Sequence, residues 1–128
     1  MNNKLLCACI MGDIEYIKLI LNDPKFNINY IGDVALEIVS RKGHVEIVKL
    51  FLTLPEINPA DASHSAIITA ARNNKMDVVK ILSLWYVENG YEIDNIINII
   101  NSADFVFNSA ELREYLEELN MIKYAGRK

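Results

Sequence analysis

Gly43-His44-Val45-Glu46-Ile47-Val48-Lys49-Leu50-Phe51 is the stretch that decides the fold, because the chain repeats it at a spacing of 31 residues. Upstream stands Gly12-Asp13-Ile14-Glu15-Tyr16-Ile17-Lys18-Leu19-Ile20, and downstream Asn74-Lys75-Met76-Asp77-Val78-Val79-Lys80-Ile81-Leu82. The acid recurs at Glu15, Glu46 and Asp77, the lysine at Lys18, Lys49 and Lys80, and an aliphatic at Ile17, Val48 and Val79. Leu5/Leu36/Ile67 and Ala8/Val39/Ala70 keep the same spacing. Self-similarity at a fixed period, without insertion, is the mark of a stacked repeat array.

Within each copy, apolar residues fall three and four apart, as in Leu36, Val39, Val45, Val48 and Leu52, which predicts two short amphipathic helices per unit. Inner helices are expected near 3–11, 33–42 and 64–73, and outer helices near 13–22, 44–53 and 75–87. Breaker clusters lie between units at Asn22-Asp23-Pro24, Leu54-Pro55-Glu56 and Asn58-Pro59. Isolated helices of this length are marginal in water, so each unit needs neighbours on which to stack.

The run Arg41-Lys42-Gly43-His44-Val45-Glu46-Ile47-Val48-Lys49-Leu50-Phe51-Leu52 resembles the outer-helix signature of ankyrin repeats, and the resemblance covers roughly residues 3–90. It implies an all-α solenoid of helix–turn–helix units. The family's Thr-Pro-Leu-His inner-helix opening appears here as Val34-Ala35-Leu36-Glu37 and Ser65-Ala66-Ile67-Ile68, keeping only the aliphatic. The loops Asp23–Asn29 and Leu54–Pro59 resemble those of a divergent branch found in amoebae and giant viruses. The expected organisation is a single domain over 1–128, with repeats at about 3–32, 33–62 and 63–90 and a degenerate capping unit at about 91–122.

That last unit is read from Ile93, Ile96, Ile97, Ile99 and Ile100, an apolar inner helix ending near Ala103. A loop through Asp104–Asn108 follows, and Ser109 is a good N-cap residue. Leu112, Tyr115, Leu116 and Leu119 then form one helix face, with Glu111, Glu114, Glu117 and Glu118 on the other. Residues 88–118 hold eight acids against Arg113 alone, net −7, whereas residues 1–87 are balanced and the tail Lys123, Arg127, Lys128 restores +3. Terminal repeats need a polar outer face to end a stack, so the acidic segment is expected to be a cap. Trp85 and Tyr86, without counterparts in earlier units, are expected to cover its junction with the third repeat.

The chain has 128 residues, 52% of them apolar and 23% charged, with a formal charge of −4; this is an ordinary globular composition. The charge leaves no basic footprint for nucleic acid. No apolar run reaches the roughly 18–20 residues that span a bilayer, and the N-terminus makes a poor signal peptide. Cys7 and Cys9 lie two apart on a helix and point to different faces, so they neither bridge each other nor share a metal. A reduced, intracellular setting follows.

Catalytic chemistry finds no foothold. His44 and His64 are 20 residues apart with no Cys or second His at ligand spacing. His44 is expected to make a turn hydrogen bond and His64 to occupy an exposed loop. Both cysteines match inner-helix positions where small residues pack, and are expected in the core. Glu15, Glu46 and Asp77, each with a lysine three residues on, read as surface pairs. The five glycines stand singly, so there is no phosphate loop. No catalytic residue, cofactor or metal is expected.

Ankyrin proteins usually hold a partner with the finger loops and exposed inner-helix ends of the concave face. Carried over by register, the resemblance implies Tyr30, Ile31 and Asp33, then Arg41 and Lys42, from the second unit. The third supplies Asp61, Ala62 and His64, then Arg72 and Asn73, and the first only Ile10 and Met11. Tyr30 with Arg41, Lys42 and Arg72 would form a mildly basic groove suited to an acidic or mixed protein surface. The expected function is a non-enzymatic interaction module, an adaptor or inhibitor, in the cytoplasm (the host's, if the source is viral). The alternative is an assembly subunit that self-associates through an uncapped first unit, where Ile10 and Met11 are exposed; otherwise the chain is expected to be a monomer. Neither nucleic acid nor membrane is an expected partner.

Overall fold

A left-handed residue closes each of the first three helix pairs: Gly12 at φ 75°, Gly43 at φ 77° and Asn74 at φ 58°, 31 residues apart. This conformation ends one helix and turns the chain back for the next, and glycine adopts it without steric cost. It also leaves room, since a Cβ on Gly12 would lie 2.8 Å from the His44 ring and one on Gly43 would lie 2.9 Å from the Lys75 stem. The residue after each turn thus covers the turn of the unit before it. His44 adds a contact from Nε2 to the Ile10 carbonyl at 3.4 Å, the hydrogen bond expected of it. Asp13, with no turn to cover, caps its own helix and accepts from the Tyr16 N–H at 3.1 Å.

The computed structural model describes residues 2–103, 105 and 107–125, without the side chains of Tyr30 and residues 122–125. The helices are α1 (Asn2–Met11), α2 (Ile14–Leu21), α3 (Gly32–Lys42), α4 (Val45–Leu52), α5 (Asp61–Arg72), α6 (Met76–Glu88), α7 (Ile93–Asn101) and α8 (Ala110–Ala125), with a short 3₁₀ turn at Ile28–Tyr30. No strand occurs among the described residues. Inner helices stack in the order α1, α3, α5, α7, and outer ones pack α4 on α6 and α6 on α8. The chain is an all-α ankyrin solenoid, and α7 with α8 forms a fourth pair on its end.

The core is a set of columns in the repeat register. Leu5, Leu36 and Ile67 are buried together with Ile17, Val48 and Val79, and with Ile20, Phe51 and Leu82. Phe51 is fully enclosed; burial of a side chain that size contributes about 2–3 kcal/mol. Cys9, Ser40 and Ala71 form a column of small residues, and burial pushes the Cys9 thiol up to about 12. Cys7 departs from the expectation: it is exposed, because it occupies the side of α1 that later units turn toward a preceding helix pair. Its counterpart Ile38 is buried.

Lysine pairing changes along the stack. Lys18 meets Glu15 at 3.5 Å and Lys49 meets Glu46 at 3.4 Å, as expected. Lys80 instead crosses to Glu111 at 3.0 Å and lies over the Tyr115 ring, because α8 brings an acid within reach of the third unit alone. Arg113, the one base of the acidic segment, ties α8 to α7 through Asp94 at 3.0 Å. Ile96, Ile97 and Ile100 meet Leu112 and Leu116 beneath these contacts, while Glu111, Glu114, Glu117 and Glu118 face solvent. At the entrance of α8 the side-chain acceptor is Asn108, taking the Ala110 N–H at 3.1 Å; Ser109 contributes its carbonyl to Arg113. Helix α7 stops at Asn101, two residues short of the expected end. Asp104 in the following loop and Arg127 and Lys128 in the tail lie outside the described residues, and of Lys123 only the backbone is described.

Candidate functional site

The expected finger loops are tight turns. Asn27 accepts from the Asn29 N–H, and Asn58, in the matching position, accepts from the Ala60 N–H, both at 2.9 Å. These Asx turns return the chain to the next inner helix without an extended hairpin. Tyr30 closes the 3₁₀ turn, and its side chain lies outside the described residues. Ile31 is half-buried and packs on the core. Asp33 and Asp61 sit in the first turns of α3 and α5, a turn beyond where a finger would place them. Both are exposed, and they are close enough that Asp61, after desolvation, helps to raise the Asp33 pKa above its ordinary value.

At the other ends of the same helices stand Arg41, Lys42 and Arg72, all exposed and in the last turns. The guanidinium of Arg72 lies 5.4 Å from the centre of the Phe105 ring. Asn73 is the C-cap of α5, its amide bound to the Thr69 carbonyl at 2.8 Å. Acids at helix starts and bases at helix ends complement the helix dipole. Eight residues of helix separate Asp33 from Arg41, about 12 Å along the axis. The inner layer is therefore bipolar rather than a uniformly basic groove, with a carboxylate edge at the loops and a guanidinium edge at the helix–helix turns.

His64 departs most from the expectation. Ala62, Ser63 and His64 are left-handed, at φ 53°, 56° and 62°, inside what was expected to be the plain entrance of an inner helix. The ring is half-buried rather than exposed, with Nδ1 2.7 Å from the Tyr86 hydroxyl. Tyr86 is fully buried and also donates to the Pro59 carbonyl at 3.2 Å; burial raises its pKa, with Tyr91 adding to the effect. Tyr86 and Trp85 pack edge to face, and Tyr91 meets Tyr86 at 4.8 Å between ring centres. This cluster fills the junction between the third and fourth helix pairs. Sequence reasoning missed Tyr91, Asn95 and Asn98 beside it, although Asn95, Asn98 and Ser102 are spaced to share one helix face.

Among the described residues no helix is long and apolar enough to cross a membrane, and no three His, Cys, Asp or Glu side chains converge as metal ligands. A stack of helix pairs closed by left-handed turns and presenting charged inner-helix ends is a repeat scaffold. The family model described as ankyrin repeats (3 copies) matches residues 5–96, and the chain belongs to the ankyrin-repeat family. Ankyrin repeats are protein-interaction modules, and the family is typically non-enzymatic. No curated protein and no solved structure matches the chain.

Proposed function

We propose that this protein is a non-enzymatic interaction module, an adaptor or inhibitor, that holds a partner protein across its inner-helix layer. The contact set is Tyr30, Ile31, Asp33, Arg41, Lys42, Asp61, His64, Arg72 and Asn73. The observation that carries the reading is the recurrence of exposed Arg41 and Arg72 at one register position, opposite the Asp33 and Asp61 edge. Such a surface suits a partner of mixed charge with its own acids at the guanidinium edge. The test is capture from a lysate of the source cell or its host, with mass spectrometry, using the wild type and the R41E/R72E double variant. Charge reversal should reduce recovery of the principal partner at least tenfold, and equal recovery by a correctly folded variant would refute this surface.

A second reading is self-association through the first unit. Tyr16 and Leu19 are 38% and 68% exposed, whereas Ile47, the Tyr16 counterpart, is 2% exposed beneath the preceding helix pair. Met11 and Ile10 extend the same apolar end. Light scattering over a range of concentrations separates the two readings: a mass that rises with concentration and falls back in Leu19→Glu supports assembly, and a constant monomer mass overturns it.

A further inference from the structure

A cleft of about 590 Å³ opens between the entrance of α5 and the exposed face of α7, within the roughly 300–1,000 Å³ that ligand sites occupy. It is lined by His64, Asn89, Tyr91, Asn95, Asn98 and Ser102, with Ile99 as an apolar wall. No carboxylate, lysine or arginine lines it, which sets it apart from the bipolar ends of α3 and α5.

The hydrogen bonds around the cleft determine what its polar groups can offer. The Pro59 carbonyl can only accept, so the Tyr86 hydroxyl gives its single proton there and accepts from Nδ1–H of His64. Neutral His64 is therefore held in the Nδ1–H tautomer, and its Nε2 is an acceptor with no partner among the described residues. Backbone strain accompanies this arrangement: three successive non-glycine residues, Ala62, Ser63 and His64, are left-handed, at a cost of order 1 kcal/mol each. Asn89 donates its amide to the Trp85 carbonyl at 2.8 Å, which leaves its Oδ1 as an acceptor. Asn95 accepts from the Glu92 N–H at 3.0 Å, which leaves its amide hydrogens as donors. The exposed Asn98 amide has no partner among the described residues and offers both.

The cleft thus presents donors and acceptors in alternation and no charge. An ion would lose hydration there without a counter-charge, and an apolar ligand would leave the amides unpaired. An extended main chain, with alternating N–H and C=O groups, matches the set, and Tyr91 and Ile99 supply apolar contact for its side chains. We infer that this cleft binds an uncharged, extended peptide segment of a partner protein through that segment's main-chain amides, with one N–H directed to His64 Nε2. The inference rests on the interaction-module reading only in taking the occupant to be polypeptide, and it uses different residues from the charged ends.

Selection of linear peptides from a random library on the immobilised full chain tests it, followed by calorimetry with the enriched peptide, blocked at both ends. The expected peptides carry a run of three or four uncharged residues. Their affinity should fall at least tenfold in Asn98→Asp and in His64→Ala, and stay unchanged in R41E/R72E. Because Asn98 is exposed, the first variant keeps the fold even if the second loosens it. The Asn98 side-chain amide resonances of the wild type should shift on binding. An empty selection, or full affinity in Asn98→Asp, overturns the inference. So do acidic peptides sensitive to R41E/R72E but not to Asn98→Asp, although these leave the charged-end surface standing.

Discussion

Gly43→Ala is the sharpest probe of how the repeat is closed. Its φ of 77° costs an L-residue with a Cβ about 1–2 kcal/mol. The added methyl would also lie 2.9 Å from Lys75 Cδ, but a lysine stem is flexible and can move aside. The expected loss is about 1–2 kcal/mol, lowering Tm by about 3–8 °C for a chain of this size, read by circular dichroism in urea and in a thermal scan. Repeating the substitution in Lys75→Ala separates the two causes: the backbone part persists, and any reduction in cost measures the steric part. The matching change at the third turn has the opposite sign. Asn74 already sits at φ 58°, so Asn74→Gly should range from neutral to about 1 kcal/mol more stable. Gly43→Ala as stable as the wild type would refute the claim that these left-handed turns set the register.

Other substitutions probe the columns and the titrating groups. Phe51→Ala, at a fully enclosed position, should cost about 3–5 kcal/mol in urea unfolding. Ser40→Ala should be neutral or stabilise by up to about 1 kcal/mol, because the buried Ser40 hydroxyl has no partner among the described residues. Thiol labelling with a disulfide reagent at pH 8 should modify Cys7 at once and Cys9 only on unfolding, as burial pushes the Cys9 thiol up to about 12; equal rates would contradict the packing of α1. The raised Asp33 pKa means that the folded chain holds this proton more tightly than the unfolded one. Its stabilising effect is complete below the ordinary carboxylate pKa and is lost as pH rises through the folded value. Asp33→Asn should therefore be more stable than the wild type at pH 7, with the gap closing near pH 3.

The architecture was legible because a solenoid writes it into the chain locally. Each unit repeats the same turn, the same aliphatic columns and the same paired charges, so Leu36 or Val48 can be placed from its spacing alone. The acidic last helix was legible for the same reason, its leucines on one face and its glutamates on the other. The exceptions are places where a contact comes from outside the repeat. Lys80 leaves its expected partner because Glu111 arrives from α8, and Cys7 is exposed because the side of α1 that it occupies has no helix pair against it.

What the sequence determined by itself is the all-α stack, its period, its core columns and the helix ends that carry Arg41, Lys42 and Arg72. Only the tertiary structure decided that the loops close as Asx turns, so that Asp33 and Asp61 join the inner helices as a second, negative edge. It alone also turned His64 inward onto Tyr86 and opened the amide-lined cleft on α7. The physical reason is that periodicity reports which face of a helix is buried. A left-handed backbone run, a fixed histidine tautomer and a cleft between non-adjacent helices arise from contacts across the stack, which no local pattern encodes.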